Sequence, residues 1–166
     1  MQSFQMATLV FDLTVEFCKR YIDRSSRTKD QMEQAARSGR QNIAEGSRAS
    51  GTSKKTEIKL TNVARASLEE LLLDYEDFIR QSGLRLWAKE DVEAKKVRNL
   101  AYDKNRSYLS YQSYLEKPEF AANALICLIH QTNYLLDKQL QKLSDEFLSQ
   151  GGFTERLYQK RMDSRN

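Results

Sequence analysis

Few residues in this 166-residue chain have types and spacing suited to chemistry. The single histidine, His130, follows Cys127 by three positions, which puts both on one side of a helix and would supply half of a tetrahedral metal site. No second half accompanies them, so the pair reads as a helix-surface histidine beside a core cysteine, and no metal is expected. With one histidine and no nucleophile motif, a Ser-His or Cys-His mechanism has no starting point. The acid pairs Glu69-Glu70, Glu76-Asp77 and Glu90-Asp91 are adjacent in sequence, so on helices they point about 100° apart and do not converge on a substrate. Gly39, Gly46 and Gly51 lack phosphate-loop or dinucleotide spacing. No catalytic residue and no cofactor is nominated, and an enzyme is the class the sequence supports least.

Binding chemistry is better represented. The formal charge is +4, but residues 19 to 65 alone carry 12 Lys and Arg against 5 acids. Such a block suits a polyanion-facing surface, and equally a solvated face that keeps a protein soluble. Within it Arg37, Arg40, Arg48, Lys54 and Lys55 form the first candidate nucleic-acid site, the arginines offering guanidinium forks to phosphate. Glu33, four residues before Arg37, offers that arginine an ordinary surface pair instead. A second constellation, Arg98, Tyr102 and Arg106 at steps of four with Lys95 nearby, could stack on single-stranded bases while neutralising their backbone. Its tyrosine is equally suited to a subunit interface.

These residues need helices to position them, and the composition supplies helices. Proline occurs once and glycine six times, a balance that favours long helices and leaves almost no strand. A first helix over about Phe4 to Arg24 has Leu9, Leu13, Phe17 and Tyr21 at steps of four. Thr28 with Gln31 reads as a capping box opening the second helix. There Met32, Ala35, Ala36, Gly39, Asn42, Ile43 and Gly46 share one narrow stripe. A mid-helix glycine costs about 1 kcal/mol against alanine, so Gly39 implies a close helix approach, while Gly46 falls where a left-handed C-terminal cap would lie. Asn42 on that stripe is expected to make a cross-helix or capping hydrogen bond.

Ser53 or Thr52 caps a third helix running to about Ser82, where Gly83 stops it. A fourth segment is expected from about Lys89 to Leu115, and Pro118 then opens a fifth helix over Glu119 to Gln150, ended by Gly151-Gly152. Phe153, Leu157 and Arg161 suggest a short amphipathic helix, and residues 163 to 166 are expected to be disordered.

One domain fits this length. Cys18 and Cys127 each lie in an apolar helical pattern, so no disulfide framework is expected and the setting is a reduced, cytoplasmic one. The first 18 residues contain Asp12 and Glu16 and lack a signal-peptide pattern. No stretch approaches the roughly 20 apolar residues of a membrane span.

The residues Ala35-Ala36, Ser38, Asn42-Ile43-Ala44-Glu45-Gly46, Arg48, Ser50 and Glu57, followed by Ser67-Leu68 and Glu70-Leu71, resemble a bacterial four-helix-bundle family. That family includes large-subunit rRNA intervening-sequence proteins, and the chain is also similar to the accessory variability determinants of diversity-generating retroelements. Gly151-Gly152-Phe153-Thr154-Glu155-Arg156 also resembles the suffix of one branch. The chain departs from the family pattern at Gly39-Arg40-Gln41 and in the added segment 89 to 115. The resemblance implies an up-down bundle assembling into a homo-pentamer, a basic surface that contacts RNA or DNA, and no catalytic activity.

The resulting expectation is an all-α, up-down four-helix bundle over residues 1 to 150 with an additional helical segment, followed by a suffix and tail over 151 to 166. It self-assembles and binds nucleic acid, RNA rather than DNA, through the first basic group. Gly39, Asn42, Glu45, Gly46, Ser67 and Glu70 serve the structure. The alternative is a protein-binding adaptor or structural oligomer with no nucleic-acid role.

Overall fold

The structure, a computed structural model, describes residues 1–150 and 153–165. Helices α1 (Gln2–Tyr21), α2 (Arg27–Ala49) and α3 (Lys54–Gln81) are followed by a short α4 (Val92–Leu100), a single turn α5 (Tyr108–Tyr111) and a 3-10 turn (Gln112–Glu116). The long α6 (Pro118–Gln150) and α7 (Phe153–Asp163) complete the chain. All regular structure among the described residues is helical.

Local chemistry sets most boundaries. Ser53 caps α3 by accepting the Thr56 N–H at 3.1 Å, and Gly83 ends it with φ +66, a conformation that favours glycine. Pro118 occupies the first position of α6, where its missing N–H leaves no helical bond unmade. Two expected caps are corrected. The α2 N-cap is Ser26, whose side chain accepts from the Thr28 N–H, not Thr28. Gly46 lies inside α2, which continues to Ala49, so it is no left-handed cap.

The four long helices form a closed circuit in which α1 packs on α2, α2 on α3, α3 on α6 and α6 on α1. Successive contacts run antiparallel: Arg40 of α2 reaches Thr8 of α1, Ser38 faces Ser67, Arg65 pairs with Asp137, and Ser3 meets Gln139. The axis is filled by fully buried Met6, Leu13, Phe17, Met32, Ile43, Leu68, Leu71, Tyr75, Leu125 and Leu128. Phe17 stacks edge-on against Tyr75 and Phe78, each at 4.9 Å between centroids. The buried Tyr75 hydroxyl is satisfied by Thr14 at 2.8 Å, as a polar group at the centre of a core must be.

The segment expected as one helix from Lys89 to Leu115 is broken. Asp103 turns the chain by accepting the Asn105 N–H at 2.9 Å, a local bond that competes with helix continuation. The piece 84–102 then lies along α6, and the 3-10 turn offers the Leu115 carbonyl to Arg20 and Tyr21 of α1. Asp163 belongs to α7, and Ser164 donates back to the Arg161 carbonyl at 2.9 Å, where disorder was expected. The expected stop at Gly151-Gly152 and the Phe153 side chain lie outside the described residues.

Candidate nucleic-acid interface

On α2 the five nominated cations separate into two kinds. Arg37 and Arg48 are exposed, and no hydrogen bond or ion pair engages either among the described residues. Eleven residues of α-helix turn the chain to within about 20° of its starting direction and advance it about 16 Å, so these two guanidinium groups share one face. Glu33 does not occupy Arg37, because it pairs with Lys29 at 2.9 Å instead.

Arg40, unlike Arg37 and Arg48, has partners within the fold. Its Nε donates to Thr8 Oγ1 at 3.0 Å, its Nη1 donates to Gln41 at 3.2 Å, and its guanidinium sits 5.0 Å from the centre of the Phe4 ring. Two of these contacts, to Thr8 and Phe4, tie α2 to α1, and the third lies within α2, which makes Arg40 a half-buried packing residue. Lys54 is engaged likewise. Its ammonium is held by Glu146 of α6, and that bond keeps the Glu146 carboxyl below the usual carboxylate range. Lys55 remains exposed. Lys59, exposed one turn further along α3, joins it on the same face. Sequence reasoning missed Lys59, although its i,i+4 spacing from Lys55 was the available signal.

Beneath this end of the molecule lies Glu57, whose side chain is buried with Oε2 lacking any partner. Burial pushes its carboxyl upward, while neighbouring Lys54 pulls it down in smaller measure and Glu146 adds to the rise. A buried acid next to one ammonium and a second acid is a local excess of negative charge under a basic surface.

The small-residue layer mostly performs as packing. A Cβ on Gly39 would come within 2.9 Å of both Cγ and Cδ2 of Leu68, so the expected close approach of α3 is present. At Gly46 the nearest atoms would be 3.5 Å away, an ordinary contact. Asn42 is half-buried and does not itself bridge helices. It donates to the Ser38 carbonyl at 2.9 Å and to Ser38 Oγ at 3.1 Å, and Ser38 Oγ meets Ser67 Oγ of α3 at 3.1 Å. The amide thus orients a serine that makes the crossing. Glu70 lines a polar groove between α2 and α3 with Gln34, Ser38 and Ser67, and Glu45 is exposed.

The second constellation is brought together only in part. The helix carrying Arg98 ends at Leu100; Arg98 and Tyr102 line one groove, and Arg106 is not among its lining residues. Arg98 donates to the Lys89 carbonyl at 2.6 Å, and Lys95 pairs with Glu90 at 3.0 Å. Among the described residues no cluster of three or more His, Cys, Asp or Glu could hold a metal. Burial raises the thiols of both Cys18, to about 12, and Cys127, which disfavours the reactive thiolate. No described helix is long and apolar enough to cross a membrane. Comparison with protein-family models, curated proteins and solved structures finds no match to this chain.

Proposed function

We propose that the chain is an up-down four-helix bundle with an added segment and a C-terminal suffix, a cytoplasmic protein that self-assembles and binds nucleic acid without catalysing a reaction. The bundle domain spans 1 to 150 and the suffix and tail 151 to 166. The resemblance implies contact with RNA or DNA, and of the two our reading takes RNA as the bound strand.

The observation that carries the reading is the shared, unengaged face of Arg37 and Arg48 on α2, with exposed Lys55 and Lys59 at the start of α3 as further cations. Guanidinium and ammonium groups without internal partners are available to phosphate, and each contact releases counterions from the polyanion. Self-assembly rests on the resemblance; on α3, Val63 and Leu73, 40 % and 60 % exposed, share with Ala66 a face that also carries exposed Lys59 and Glu70, a mixed surface on which the two apolar side chains are the contacts a second copy would cover. Five copies is the number the resemblance implies.

Fluorescence anisotropy with labelled single-stranded and hairpin RNA, and with matching DNA, tests the proposal at low salt. RNA is expected to bind more tightly than DNA. No binding of either would overturn the reading and leave the adaptor, in which the same cations dock an acidic protein.

A further inference from the structure

We propose that the groove between segment 84–102 and α6 is a binding site for a small planar aromatic anion. It encloses about 830 Å³, within the roughly 300 to 1,000 Å³ typical of small-molecule sites. Gln2 and Met6 of α1 and Glu76 of α3 also line it and no α2 residue does, so the inference stands apart from the nucleic-acid reading.

The walls are preformed. Trp87 donates its backbone N–H to Asn123 Oδ1 at 2.8 Å and stacks edge-on against Phe120 at 5.3 Å, and Asn123 returns a bond to the Arg85 carbonyl at 2.9 Å. Opposite, Gln131 of α6 donates to the Arg98 carbonyl at 3.0 Å, tying α4 to α6. Between these fixed walls the rim carries apolar surface that nothing among the described residues covers: Leu86 is 52 %, Tyr134 58 % and Tyr102 83 % exposed. Flat rings at a groove mouth suit a flat ligand.

Charge selects an anion. Lys89 and Arg98 line the groove against a single acid, Glu76. Arg98 commits only Nη2, to a carbonyl, and its other donors remain available to a carboxylate or phosphate. The same charges disfavour the exposed apolar side of α7, which would bring Arg156, Lys160 and Arg161 against like charge. The amide of Gln131 adds an acceptor: its Oε1 is buried in the wall without a partner, and the bond from Nε2 fixes which way the amide faces.

Two sources share this chemistry, a free nucleotide and an aromatic carboxylic acid, and the test separates them. Calorimetry on the full chain uses adenosine monophosphate with neutral adenosine, and 2-naphthoate with neutral 2-naphthalenemethanol. Trp87 is the only tryptophan, so quenching of its fluorescence by adenosine monophosphate places the event at the groove. At least one anion should bind saturably, with its neutral counterpart at least about tenfold weaker. Lys89→Gln combined with Arg98→Gln should abolish that preference, and Tyr102→Ala should weaken binding of the anion. Lys89 and Tyr102 are exposed, so Lys89→Gln alone carries the test if the Arg98 change costs helicity. Failure of both anions to bind, equal binding of the neutral partners, or a preference that survives the charge variants would overturn the proposal.

Discussion

Glu57 shows how one side chain can be read through its environment. Burial raises its carboxyl, so the folded chain holds this proton more tightly than the unfolded chain does. The associated stabilisation is present below the ordinary carboxylate range and is lost as pH rises through the raised folded value. Glu57→Gln should therefore stabilise the protein at pH 7, with the gain vanishing near pH 4, as urea unfolding at the two pH values would show. The cysteines give a second residue-scale outcome. Cys18 is fully buried with its thiol near 12, whereas Cys127 is half-buried and lines the open groove. Brief alkylation of the native protein, read by mass spectrometry, should label Cys127 slowly and leave Cys18 untouched until denaturant is added.

At the scale of the element, the two glycines of α2 make opposite predictions. Gly39→Ala drives a methyl into Leu68 at 2.9 Å, and overpacking of about 1–3 kcal/mol outweighs the gain in helix propensity. Gly46→Ala meets only ordinary contacts in mid-helix and should raise stability by about 0.5–1 kcal/mol. Thermal unfolding of the two variants checks both signs, and a destabilised Gly46→Ala would restore the left-handed cap that the sequence suggested. The helix ends at Ser53, Gly83 and Pro118 were legible because side-chain caps, positive φ and a missing N–H act locally. The break after Leu100 was not, since Tyr108, Tyr111 and Leu115 keep a helical period through a turn that the Asp103 side chain closes. The roles of Arg40 and Lys54 were illegible for another reason. Their partners Thr8, Phe4 and Glu146 stand on other helices, and only packing decides which neighbour a long cation meets.

For the whole molecule, the circuit of α1, α2, α3 and α6 carries two surfaces: a basic face on α2, with further cations at the start of α3, and an aromatic groove between segment 84–102 and α6. The all-helical class followed from composition and periodicity, whereas the groove required a segment whose course along α6 no periodicity encodes. Self-assembly through this face of α3 predicts that Leu73→Glu lowers the mass measured by light scattering while helicity is retained, because a charge in place of an apolar contact disfavours association. The most direct test of the nucleic-acid role is the slope of log binding constant against log salt for RNA, compared between the wild type and an Arg37→Ala, Arg48→Ala double variant. Loss of two phosphate contacts should weaken binding and flatten the slope by about 1–2, with unchanged thermal stability. A double variant that binds RNA with wild-type affinity and slope would contradict the account.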